Sequence, residues 1–518
     1  MKNKTLLSVA VLLMLTMGSC HKDADPIVNY AFNDYVSFNE AENSYAGKFR
    51  VLWNALNQNY TLWDYEEKNG LDWDEVYRKY LPKFVDLDSA KTEVTDSMLK
   101  ALLTEVVTPL HDGHMLVEMH NHETGQFVSV SPSGIRAQDR DDYEAARYFE
   151  PYLYTYYANG ELEKYQEYDT RCLSQFKRIC NTKGIGYLWA YDEVTRLESK
   201  TEQTDGDAIM LKGLKHFCTE IEELANAPFT KASLTRYNQL VAESKYLNIP
   251  DLEPIATEFI DNGISVKFAL TNDHIAYLYL SNFSLTPYLN ELYQEDMFPN
   301  ADGHVLEQIK TVRSVWLSWF TAIQTLHKAG QLKGVIIDVR SNGGGYTNDS
   351  RYVIGSLLPS GDIQYGWARF KRGVGRYDFS PLMSQYSFTM AEDHETIDDV
   401  PVAVLINSNS VSMSEMTALT AKQMSNARLI GKRTFGGLCA LAGNETSSLN
   451  YSGHVGIRNE TPVYVYLPTL CIFDIDKKPI EGIGVTPDIE VDFDMTKMGT
   501  TGCDSQLDRA LEYIRNGN

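Results

Sequence analysis

GVIIDVRSNGGGY, Gly334 to Tyr346, and VPVAVLINSNSVSMSEMTAL, Val400 to Leu419, are built alike: each is a short β-branched apolar run that stops in small or polar residues. Val335-Ile336-Ile337-Asp338-Val339 lacks alternation and so reads as a strand buried on both faces. The glycines that follow free backbone N–H groups for close approach to a ligand. The second run ends in hydroxyls and becomes helix-like from Met413 to Met424, with Glu415 in its first turn. A serine at such a junction lies near the positive end of a helix dipole. A hydroxyl nucleophile beside glycine N–H donors is the equipment of acyl transfer.

Outward from these two segments the pattern stays α/β. Strands are expected at 265–270, 274–281, 334–339, 401–406, 427–430 and 463–467, and helices at 304–328, 347–357, 413–424 and 504–515. Such alternation predicts a sheet covered by helices. Residues 46–106 repeat apolar positions at helical spacing (Phe49, Leu52, Leu56; Leu99, Leu102, Leu103, Val106), with helix starts at Asp72 and Thr95. Between them, Tyr143–Gln175 and Ala208–Ala227 read as charged helices, and Gly184–Tyr191 (GIGYLWAY) as a strand that echoes His274–Phe283.

The chain has 518 residues, which favours two or three structural units. A hydrophobic content of 43% excludes a disordered chain, and a net charge of -23 argues against nucleic acid and anionic lipid as partners. The N-terminus stands apart from the fold. Lys2 and Lys4 precede an apolar run, Leu6 to Met17, too short to span a bilayer and shaped like a secretory leader. After Cys20 the chain has six cysteines: Cys172, Cys180, Cys218, Cys439, Cys471 and Cys503. Their spacing matches neither a zinc site nor a redox CxxC. Cys172 and Cys180 are near enough in sequence to pair, and buried free thiols are the equal alternative.

Four blocks in order resemble the S41 peptidases, the family of C-terminal processing and tricorn-like proteases: LHDGHM (Leu110–Met115), DVRSNGGG (Asp338–Gly345), SVSMSEMTAL with LIGKRTFGG (Ser410–Gly437), and PIEGIGVTPDIEV (Pro479–Val491). The resemblance implies a ClpP/crotonase-like α/β core at 266–495. An N-terminal helical domain (46–110), a His-bearing segment (111–125) and a C-terminal helix (496–518) complete that arrangement. A largely helical insertion (126–265) stands in the place of a PDZ domain, whose carboxylate-binding glycine loop is absent from the sequence. Met17-Gly18-Ser19-Cys20 resembles a bacterial lipobox, which implies a signal peptide at 1–19, lipidation of Cys20, a tether at 20–45 and an envelope location.

The resemblance also assigns roles. Ser412, first of the S-M-S-E block, is the expected nucleophile; the alternative is that the serines at 408, 410, 412 and 414 only cap a helix. Gly344 and Met413 are the expected oxyanion donors. Gly437 stands where one branch of the family carries its lysine base, and Lys432 is displaced from that position. The base is therefore expected to be His114, as in the tricorn-like branch, although Gly113 replaces that branch's preceding serine. Glu481 is the expected orienting carboxylate, with Asp474 and Asp476 as alternatives. The resemblance implies neither cofactor nor metal. The implied partner is a peptide or protein substrate. A catalytically inactive ligand- or peptide-binding lipoprotein on the same fold is the rival reading, with Tyr152–Tyr157 as a possible lining.

Overall fold

A computed structural model describes residues 41, 43–133, 140, 153, 156, 159–168, 179–227, 231–254, 264–290, 303–358, 363–373, 375–390, 394–439, 454–468 and 470–517. The leader, Cys20, most of the tether and Cys172 lie outside them. The described residues open with four helices: α1 (Tyr45–Asn59), α2 (Trp63–Lys68), α3 (Trp73–Asp88) and α4 (Asp96–Val107). The starts of α3 and α4 are capped as the sequence predicts. Asp72 accepts from the N–H groups of Asp74 and Glu75, and Thr95 accepts from Met98. A hairpin of β1 (Leu116–Asn121) and β2 (Gln126–Val130) follows, so the expected boundary at 125 falls inside a turn.

The next elements among the described residues are β3 (Leu162–Tyr168) and three helices, α5 (Ile185–Glu198), α6 (Asp205–Asn226) and α7 (Lys231–Glu243). Two expectations are corrected here. Gly184–Tyr191 is the start of α5, because its buried positions Gly186, Tyr187 and Ala190 recur at helical spacing. Leu162–Tyr168, inside the expected helix 143–175, is an edge strand antiparallel to β4 (Val266–Thr271). Local charge suggested a helix there; pairing with a distant sheet edge decides otherwise.

The core then runs β5 (Ile275–Leu280), α8 (Thr286–Leu289), α9 (Gly303–Lys328), β6 (Gly334–Asp338), β7 (Gln364–Phe370), β8 (Met383–Tyr386), β9 (Val402–Ile406), α10 (Met413–Gln423) and β10 (Ala427–Gly431). It closes with β11 (His454–Val455), β12 (Val463–Tyr466), β13 (Leu470–Phe473), β14 (Ile489–Glu490), α11 (Met495–Thr501) and α12 (Ser505–Asn516). The expected helix at 347–357 is instead two 3₁₀ segments, Thr347–Tyr352 and Ile354–Ser356. Gly355 packs too close to the Phe388 carbonyl for any Cβ, and this local crowding accompanies the tighter turns.

A seven-stranded sheet has the order β14-β10-β9-β6-β5-β4-β3, parallel from β14 to β5. Val335 and Ile337 pack into the cluster that includes Trp319 of α9 and Met416 of α10, while Ile336 joins Leu507, Leu511 and Ile514 of α12. Both faces are covered, which accounts for the unbroken apolar run in β6. A second sheet, β11-β12-β1-β2, and a third, β13-β7-β8, lie outside it. Apolar side chains of α1–α4, β1, β2 and β12 share one cluster with Cys439 and Cys471.

Candidate active site

Parallel pairing of β6 with β9, Asp338 opposite Leu405, delivers the loops after both strands to the same edge of the sheet. Ligand sites of open α/β sheets form at such carboxyl ends. The loops are stitched together: the Val411 N–H donates to the Asn342 carbonyl at 2.9 Å, the Ser414 hydroxyl to the same oxygen at 2.8 Å, and the Ser341 N–H to Asn407 Oδ1 at 2.8 Å. An ideal Cβ on Gly344 would lie 2.6 Å from Ser412 Cβ, so only glycine fits beside that serine.

The four serines separate cleanly. Ser408, Ser410 and Ser414 are buried, and the hydroxyls of Ser410 and Ser414 donate to the carbonyls of Val339 and Asn342. Ser412 is half-buried and sits at φ 56°, ψ −111°, a left-handed backbone that a non-glycine residue adopts only under constraint. The constraint is Glu415, whose Oε2 accepts from the Ser412 N–H at 3.1 Å. Among the described residues, the Met413 N–H at the start of α10 donates to no partner. The Gly344 N–H, expected to face an oxyanion, is instead donated to Asn342 Oδ1 at 2.9 Å.

Glu415 does more than cap α10. Its carboxylate also accepts from the Thr434 hydroxyl at 2.7 Å and from the N–H groups of Gly436 and Gly437, each at 2.8 Å. It thereby fastens the Thr434–Gly437 turn against the Ser412 loop. Lys432 points elsewhere, pairing with Glu490 and Asp492 at 2.8 and 2.7 Å. On the outer side of the turn lies the segment that precedes β1. An ideal Cβ on Gly113 would lie 2.7 Å from the Gly436 carbonyl oxygen and 2.8 Å from Glu481 Oε1. A serine does not fit there without movement, which gives a physical reason for the departure from the tricorn-like pattern.

His114 follows, with its side chain 19% exposed and Nδ1 3.7 Å from Glu481 Oε1. That is a charge contact, longer than a hydrogen bond. Glu481 is fully buried and accepts from the Gly113 N–H at 2.5 Å and the Cys439 N–H at 2.6 Å. Asp112, also buried, uses Oδ1 to accept the N–H groups of His114 and Met115, each at 2.8 Å. Asp474, one alternative to Glu481, accepts from Lys478 within its own turn, and Asp476 is exposed.

Three buried carboxylates thus surround one imidazole. Burial would strip the proton from His114, but Glu481, then Asp112 and Glu415, hold it, and the pKa ends above the ordinary histidine value. Burial also raises Glu481, yet His114 and the two backbone donors bring it below the ordinary range. Asp112 and Glu415 are pushed up to about 7, chiefly by burial, with Glu481 adding repulsion. Among the described residues no three His, Cys, Asp or Glu side chains are arranged to hold a metal ion.

Residues 274–491 match the model of Peptidase family S41. This segment is an S41 peptidase domain. The chain is 29% identical over 170 residues to a carboxy-terminal-processing protease of Bartonella bacilliformis, covering 33% of each. It is 25% identical over 316 residues to a carboxyl-terminal-processing protease of Synechocystis, covering 57% of this chain and 64% of that one. It therefore spans between a third and two thirds of these relatives. A solved putative peptidase from Parabacteroides merdae superimposes over 92% of this chain and 98% of its own, at 16% identity and a TM-score of 0.46. The S41 domain contains Ser412 and Glu481, while His114 reaches it from outside the matched segment, in the bend just before the strand that pairs with β12.

The roles of two residues were missed in the sequence. In the sequence Glu415 reads only as an early acid of a helix, and Asp112 only as a member of the LHDGHM block. The signal for Glu415 was present, because an acid three residues after the serine is the spacing of a capping box.

Proposed function

We propose that the protein is an exported serine peptidase of S41 type. Ser412 Oγ attacks a peptide carbonyl while His114 takes its proton; the C–N bond then breaks as His114 returns that proton to the leaving amine. Water, deprotonated by His114, attacks the acyl-Ser412 ester and releases the carboxylate product. Glu481 orients His114 and balances the charge it gains.

The Met413 N–H supports the tetrahedral oxyanion. Gly344 supplies the second donor once its amide leaves Asn342 Oδ1. One donor of this kind is worth about 3–4 kcal/mol of barrier. No cofactor enters these steps. The substrate is a peptide or protein, and a lipid on Cys20 tethers the enzyme to the cell envelope. Among the described residues no helix is long and apolar enough to cross a membrane.

The observation that carries this reading is the strained, half-buried Ser412 at the mouth of a helix, joined through Glu415 and the Gly436–Gly437 turn to the His114–Glu481 pair. A fluorophosphonate probe tests it. Wild type labels; Ser412→Ala and His114→Ala do not. A folded wild type that stays unlabelled favours the ligand-binding alternative, and labelling that survives Ser412→Ala means another serine reacts.

A further inference from the structure

Arg140 lies in sequence between β2 and β3, outside the segments that build the site, yet its half-buried side chain reaches the Thr434–Gly437 turn. Its Nη1 donates to the Thr434 carbonyl at 2.7 Å and to the Phe435 carbonyl at 3.1 Å, and its Nη2 donates to the Arg433 carbonyl at 3.1 Å. Three consecutive carbonyls thus converge on one guanidinium. Gathered oxygens repel one another, and a planar cation with forked donors offsets that repulsion.

We propose that Arg140 is a positioning residue for Ser412. It acts through the turn. The guanidinium holds the carbonyls of residues 433–435, and this fixes the direction of the next two N–H groups, those of Gly436 and Gly437. Both donate to the Glu415 carboxylate at 2.8 Å. Glu415 in turn accepts from the Ser412 N–H at 3.1 Å and keeps that serine in its left-handed backbone. The role toward Ser412 rests on the peptidase reading above; the hold on the turn does not.

The turn has other supports, and they explain why the fold survives without this one. The Phe435 N–H donates to the Ser410 carbonyl at 3.1 Å, the Thr434 N–H to the Val485 carbonyl at 3.1 Å, and the Gly482 N–H to the Gly436 carbonyl at 2.7 Å. These bonds keep the turn on the sheet. Loss of the guanidinium leaves three carbonyls without their cation, so the turn opens locally rather than unfolding the domain. A small shift there is passed to Ser412, where a misplacement of about 1 Å is enough to slow acyl transfer.

Gly113, Ser133, Arg433, Phe435 and Gly436 line a small cavity together with Arg140. Cutting Arg140 back to alanine enlarges this cavity beside the abandoned carbonyls. A free guanidinium ion then has both the room and the partners to take the missing group's place.

The test compares the full chain with its Arg140→Ala variant, each with and without millimolar ethylguanidinium. Two quantities are read: amide hydrogen exchange in peptides spanning residues 431–438, and the rate of fluorophosphonate labelling. In Arg140→Ala the turn amides are expected to exchange faster while β9 keeps its protection. Labelling is expected to slow about tenfold or more, and ethylguanidinium to restore both in a saturable way. Unchanged exchange at the turn overturns the proposal. So does labelling at the wild-type rate, or a slow rate that ethylguanidinium leaves slow while exchange rises throughout the domain. A wild type that does not label defeats the peptidase reading, and exchange at the turn then decides alone whether Arg140 holds it. If Arg140→Ala does not fold, Arg140→Lys, which keeps the charge without the planar fork, is read by the same exchange measurement.

Discussion

At the scale of single residues, the site turns on how little space surrounds Gly113. Its N–H feeds Glu481, and a Cβ would strike backbone of the facing turn. Gly113→Ser restores the residue type of the tricorn-like branch, yet here it is expected to cost about 1–3 kcal/mol through forced backbone shifts and to lower kcat/KM at least tenfold. A thermal melt and a probe-labelling rate measure both; an equal or faster rate would show that the loop yields. His114 supplies a second expectation. It must be neutral to accept the serine proton, while Glu481, Asp112 and Glu415 hold its pKa up. The labelling rate should therefore rise with pH, with a midpoint above the ordinary histidine value of about 6.5. Glu481→Gln should lower that midpoint. For stability the sign is the reverse: the contribution of this raised pKa is present at low pH and lost as pH rises through it.

Among the elements, β6 and α12 are bound by charge. Arg340 is fully buried; its Nε donates to Asp338 at 2.9 Å and its Nη1 to Asp504 and Gln506 at 3.0 and 2.9 Å. Tyr277 adds a hydroxyl donor to Asp338 at 2.9 Å. Arg340 thus ties the strand that leads into the Asn342–Gly345 turn to the N-terminus of the last helix. Arg340→Met leaves two buried carboxylates without their cation and should cost about 3–5 kcal/mol in chemical denaturation. A loss below about 1 kcal/mol would mean that water or a rearranged partner compensates.

Asp338 and Arg340 lie two residues apart, within reach of a local reading, but Asp504 lies too far along the chain for any local pattern to join them. The same holds for sheet edges. The buried strands β5, β6, β9 and β10 announce themselves through apolar runs, and the Ser412, His114 and Glu481 candidates through local motifs. By contrast, β3 does not show in the local sequence because its partner is a distant strand, and α5 because an apolar run alone does not distinguish strand from helix.

At the scale of the whole molecule, the apolar clusters of the described residues differ in how they draw on the chain. The cluster under α1–α4 needs β12, Cys439 and Cys471 from the far end of the sequence, so the N-terminal helices and the S41 domain share a core. Further ties reinforce this, among them Arg376 to Asp74 at 2.6 Å. The helical cluster of α5–α7 is different: every member lies between Ile179 and Ile249, and Leu252 packs against it. A core drawn from one contiguous stretch can form without the rest of the chain. Residues 179–253, expressed alone, should therefore give a helical circular-dichroism spectrum and a cooperative thermal transition. Residues 41–130 alone should give neither a sharp transition nor fixed near-ultraviolet signals, because β1 lacks β12 and the cluster lacks its far side. If the first fragment melts without cooperativity, the α5–α7 helices depend on contacts with the sheet. In that case the segment between the β1–β2 hairpin and the S41 domain is part of the peptidase body rather than an appendage that can carry a separate task.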